Sequence, residues 1–168
     1  FTDTVNVTNG AALTLQNSND TSFGNAIILT GGTLTTGGGA TFDGTLNMTG
    51  GASLNVAGSA AINNTFTFTN SSTTIGSNLS LANPLIMSGS SLTMNGDGTF
   101  SLPVTMTNSS MILSGTGLLN GTLDLINSSM SFGKGATFNN NVTLSGATVT
   151  LTGTHATTNA FTFSNPVT

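Results

Sequence analysis

The chain has 168 residues, among them one Lys or Arg, five Asp or Glu, one His and no Cys; it carries a net charge of −4 and only 4% of it is charged, far below the quarter usual in globular domains. With Lys134 its one basic side chain, it has no electrostatic footing for nucleic acid or an anionic membrane, and without Cys it has neither disulfides nor thiolate metal sites. A composition rich in Ser, Thr, Asn and Gly would suit disorder, but 36% of the residues are hydrophobic, ten are Phe, and they are regularly placed.

In chain order, the first predicted strand is led by Val5. The same apolar leader returns at Ile27, Leu46, Phe66, Leu85, Val104, Leu123, Val142 and Phe161, at intervals of 22, 19, 20 and then 19 five times. Two residues after each leader stands a second apolar residue, from Val7 and Leu29 to Leu144 and Phe163. A second strand follows a turn, with Leu34, Leu54, Leu92, Met111, Met130 and Val149, then Val56, Ile75, Met94, Leu113, Phe132 and Leu151, on its inward side. A third, shorter strand carries a small residue and then a large one, as in Ala40-Thr41-Phe42 and Ala136-Thr137-Phe138.

All ten Phe and all six Met fall on these inward columns. The alternation has the strand period of two, and a helical period nowhere persists. Three short strands repeating in register are closed by coiling the chain, so that each strand pairs with its equivalent one turn later. The expected fold is therefore all-β. It is a single β-solenoid domain over residues 1–168, a triangular parallel β-helix of eight to nine coils with about 19 residues per coil, read here as right-handed. At about 4.8 Å per coil the eight intervals make a rod of roughly 38 Å.

Two further columns mark corners. Four residues after each leader stand Asn9, Gly31, Gly50, Asn70, Gly89, Asn108, Asn127, Gly146 and Asn165, a column of Asn and Gly alone. These residues tolerate positive φ, which predicts a left-handed structural corner. Two residues before each leader a second corner column reads Asp3, Asn25, Gly44, Asn64, Asn83, Leu102, Gly121, Asn140 and Asn159, and Pro103 follows its exception, Leu102.

Ten Asn-x-Ser/Thr sequons occur. Most are turn Asn followed by the Ser or Thr that strands and turns favour. Asn70, Asn108, Asn120, Asn127 and Asn141 are candidate glycosylation acceptors in a host that has the enzymes. Catalysis is not expected, because Asp3, Asp20, Asp43, Asp97 and Asp124 fall mostly on different columns and coils, and no pair suits general acid/base work. His155 stands beside no second ligand, and the Gly-Asp turn of "NGDGTF" occurs once. No metal or other cofactor is expected. Outward Thr8, Thr30, Thr49, Thr69 and Thr107 share a column, which raises a ligand-binding alternative for ice or glycans, although Ser88, Ile126 and Ser145 interrupt it.

The units "TLDLINSSMSFGKGATFNN" (122–140) and "TLNMTGGASLNVAGSAAINN" (45–64) resemble the β-helical shafts of secreted bacterial adhesins, including autotransporter passenger domains and filamentous-haemagglutinin-like repeats. The resemblance covers nearly the whole chain and carries no catalytic or binding residue across. It implies export to the cell surface, a stiff stalk, and adhesion or matrix assembly. The expected role is a non-catalytic structural protein, the rod of an extracellular fibre, filament or surface adhesin. The chain is expected to be a segment or processed part of a longer solenoid, or a filament subunit that stacks end to end, with surface glycans as further partners and no membrane insertion.

Overall fold

The computed structural model describes residues 1–16, 19–157 and 161–163. Among them every regular element is a β-strand, and every strand pairing between elements is parallel. The first coil sets the pattern with strands Val5–Thr8, Ala12–Leu15 and Thr21–Phe23. Each strand pairs with its counterpart one coil later, so the three positions in the coil become three sheets of nine, eight and eight strands. The result is a triangular β-solenoid of about eight turns.

Register follows the apolar columns. Phe66 pairs with Leu85, Leu85 with Val104, Val104 with Leu123 and Leu123 with Val142. A one-residue slip would turn every such side chain outward, so the buried face fixes the pairing. Like residues stack on like: exposed Phe1 and buried Phe23 and Phe42 form a ladder with centroids 5.1 and 5.0 Å apart and rings within 12° of parallel. Met87 lies beside Met106 and Met111 beside Met130. The small residues of the third sheet make room for large neighbours. A Cβ on Gly117 would overlap the ring of Phe132, and one on Gly98 would press on Leu113 and Phe100.

The irregular intervals have a physical cause. Pairing Ala12 with Thr33 and Thr33 with Ser53 shows that the first corner holds one extra residue in the coils led by Val5 and Leu46. This accounts for the 20-residue interval and for one of the three extra residues in the 22-residue one; the other two lie between Ala12–Leu15 and Thr21–Phe23. In both coils a second left-handed residue absorbs the extra corner residue: Asn9 and Gly10 at φ 55 and 76, Gly50 and Gly51 at φ 66 and 81. Gly10 and Gly51 then donate their N–H groups to the carbonyls of Gly31 and Asn70 in the next coil. The ladder therefore continues through the insertion.

Candidate functional site

The most regular polar feature runs along the corner between the first and second sheets. Its unit is Asn-Ser-Ser or Gly-Ser-Ser, at 70–72, 89–91, 108–110 and 127–129. The first residue turns the backbone through the left-handed region. Asn9, Asn70, Asn108 and Asn127 have φ between 47 and 55, and Gly31, Gly50, Gly89 and Gly146 between 58 and 66; Asn165 lies outside the described residues. Asn and Gly adopt this conformation at little cost, whereas a branched Cβ would crowd the carbonyl.

The second residue swings inward, and Ser71, Ser90, Ser109 and Ser128 are buried. Each hydroxyl donates to the carbonyl two residues back, on Thr69, Ser88, Thr107 and Ile126, at 2.7 to 2.8 Å. The hydroxyl oxygens of Ser90, Ser109 and Ser128 also accept the N–H of the serine one coil earlier, at 3.1 to 3.2 Å. At this sharp turn the hydroxyl supplies the acceptor that a buried N–H requires. The third residue, Ser72, Ser91, Ser110 or Ser129, opens the next strand and faces outward.

Stacked corners leave a shallow groove of about 780 Å³ along the rod axis. Asn and Ser side chains line it with intervening Gly, and no His, Asp or Glu does. Its surface is uncharged, and its inner hydroxyls are committed to the ladder. A serine without an adjacent base is a weak nucleophile, so the groove offers hydrogen bonds rather than chemistry.

The other two corners use side chains differently. Between the second and third sheets, a carboxylate or amide oxygen receives the N–H of the next coil: Asp20 from Gly39 at 2.9 Å, Asn78 from Asp97 at 2.9 Å, Asp97 from Thr116 at 2.7 Å. That last backbone hydrogen bond, reinforced by the Thr116 side chain and the charge of Lys134 against a smaller effect of burial, holds the Asp97 carboxyl below its ordinary range. Between the third and first sheets the Asn/Gly column has ordinary backbone and no positive φ among its described members. Here Asn25, Asn64, Asn83 and Asn140 donate their amide N–H to the carbonyls of Thr2, Asp43, Asn63 and Asn120 one coil back. Gly44 and Gly121 stand where neighbouring coils come close, and a Cβ on either would overlap the carbonyl of Asn25 or Leu102. Asn159 lies outside the described residues.

The sequon Asn residues divide between corners. Asn70, Asn108 and Asn127 are exposed on the rim of the groove. Asn120 and Asn141 are exposed at the third corner, where the Asn120 amide oxygen accepts from Asn139 at 2.8 Å. Asp43 accepts from Asn63, and Asp124 stands on the outer face of the first sheet between Thr105 and Thr143. His155 is exposed beside Ala136, with Nδ1 3.0 Å from the Gly153 carbonyl oxygen. Among the described residues no group of three or more His, Cys, Asp or Glu is placed to hold a metal ion.

The inner serine ladder escaped the sequence reading. Its signal is there, in a Ser-Ser pair returning every 19 residues from Ser71. Fold and corners together define a β-solenoid. No protein-family model, curated protein or solved structure matches this chain, so its corners and faces are read from their own geometry.

Proposed function

We propose that the protein is a non-catalytic structural rod, the shaft of an extracellular fibre, filament or surface adhesin. The observation that carries this reading is the use made of its polar side chains: at all three corners they tie one coil to the next. An apolar column meanwhile runs through every described coil. In an enzyme or cofactor protein some polar groups would instead converge on a substrate. The extracellular setting rests on the resemblance to adhesin shafts, and there the exposed corner Asn residues would be open to glycans.

In this reading the rod lengthens either by further coils of the same chain or by end-to-end stacking of separate chains. A head-to-tail contact that does not close propagates as a filament. Electron microscopy of purified protein tests it: thin, stiff rods longer than the roughly 38 Å of one chain support stacking, and uniformly dispersed short particles would sink it. The groove and the outward Thr rows support a second reading, a ligand-binding solenoid for ice or glycans. The hydroxyls of Thr30 and Thr49 stand 3.5 Å apart on successive coils, a spacing that could order water. Thermal hysteresis in freezing solution would favour ice binding, and its absence would remove that reading.

A further inference from the structure

We propose that the outer face of the second sheet is a lateral docking surface for a second copy of this chain, pairing rods side by side. The face runs over eight strands, from Ala12–Leu15 to Thr148–Leu151, and its sixteen outward positions carry no charge. Through its middle the first outward column is Ser on five successive strands, from Ser53 to Ser129. In the second column Ile112, 49% exposed, stands among Thr74, Thr93 and Ser131.

Charge decides between the faces. Copies of a chain with net charge −4 repel one another wherever acidic groups meet. Asp124 lies within the outer face of the first sheet, while Asp20 and Asp97 stand at the corner between the second and third sheets and so border both. Asp3 and Asp43 sit at the corner leading back to the first sheet. The second sheet is bordered on one side by the uncharged groove and on the other by a corner where Lys134 lowers the net acidity. Of the three faces it can meet its own copy with the least repulsion.

Shape favours the contact, and size limits its strength. Flat parallel sheets with identical small side chains at every 4.7–4.8 Å interdigitate tightly, the more so at low charge. Strand rise and spacing give a footprint of roughly 34 by 13 Å, so about 900 Å² would be buried in total, under the roughly 1,200–2,000 Å² of stable complexes. The pairing is therefore reversible and concentration-dependent, a contact that becomes strong when many rods are aligned. It is independent of end-to-end growth: either can fail while the other holds.

Sedimentation of the whole chain over a wide concentration range tests the proposal. Wild type should pass from monomer to a compact dimer. The double variant Ser91→Asp/Ser110→Asp should weaken that dimer at least about tenfold, the least that like charges brought face to face would give. Ser22→Asp/Ser80→Asp, with the same added charge on the third sheet, should leave it unchanged, and far-UV circular dichroism would show all three folded. A wild type that stays monomeric throughout overturns the proposal, as does equal weakening by both variants or by neither. Because the chain has no Cys, Ser91→Cys adds a proximity probe that needs no particular stability: on oxidation with diamide it should form disulfide dimers and Ser80→Cys should not. Equal cross-linking of the two would contradict a face-specific contact.

Discussion

At the first corner Asn108 turns the chain with φ of 49°, in a column where Gly serves equally. At the third corner Asn83 keeps ordinary backbone and gives its amide to the carbonyl of Asn63 at 2.8 Å. Asn and Gly predominate in both columns, yet the first selects for backbone conformation and the third for a side-chain donor or for the lack of a Cβ. Glycine has opposite meanings in the two places. Gly50 is left-handed and has room, the nearest atom to an added Cβ being 3.7 Å away. Gly121 is not left-handed and has no room, because the Leu102 carbonyl lies where its Cβ would be.

The largest expected effect exploits that difference. Gly121→Ala forces backbone against backbone and should cost about 3 kcal/mol in chemical denaturation, whereas Gly50→Asn, matching the residue that stands in this column at five other coils, should stay within about 0.5 kcal/mol. Equal losses would erase the distinction between the corners. Next comes Asn108→Val, which places a branched Cβ in the left-handed region and should cost about 2 kcal/mol.

The third comparison lies within one tripeptide. Ser109→Ala removes the acceptor of the buried Ser90 N–H and should cost about 1.5 kcal/mol. Ser110→Ala, unlike Ser109→Ala, destroys the Asn108 sequon, but it touches only an outward side chain and should be nearly silent. Should the two prove equally damaging in a glycosylating host, a sugar on Asn108 would be holding the corner. The smallest effect is at Asp97. Its carboxyl is held below the usual range in the folded chain, so its contribution is present above the unfolded value and is lost as pH falls through the folded one. Acid titration of stability should therefore flatten slightly at the low end in Asp97→Asn, whose amide oxygen still accepts the Thr116 N–H.

The coil was legible because its signals are redundant. Val104, Leu123 and Val142 each announce the same inward column, and the leader columns run through nine units. The left-handed corner was legible for the same reason, in a column that admits only two residue types. The third corner was legible as a corner but not in its cause, because Asn is both tolerant of positive φ and a good donor, and residue type alone does not say which property is in use. Ser71, Ser90, Ser109 and Ser128 were hidden because serine is usually a surface residue, and their burial follows from the turn before them, which swings the side chain inward. The charge-free second face needs no coordinates beyond the strand assignments, but it gains meaning only once Asp124 is placed on the first face and Asp3 and Asp43 at the corner between the third and the first.

The most direct test puts one substitution, Asn→Gly, at the two corners and compares denaturation midpoints. Asn108→Gly should keep the wild-type midpoint, since glycine adopts the same left-handed turn. Asn83→Gly should lower it, since the amide bond to the Asn63 carbonyl is lost and nothing replaces it. An Asn108→Gly variant that falls as far as Asn83→Gly, or an Asn83→Gly variant that does not fall, would contradict the account of two corners with one spelling and two physical causes.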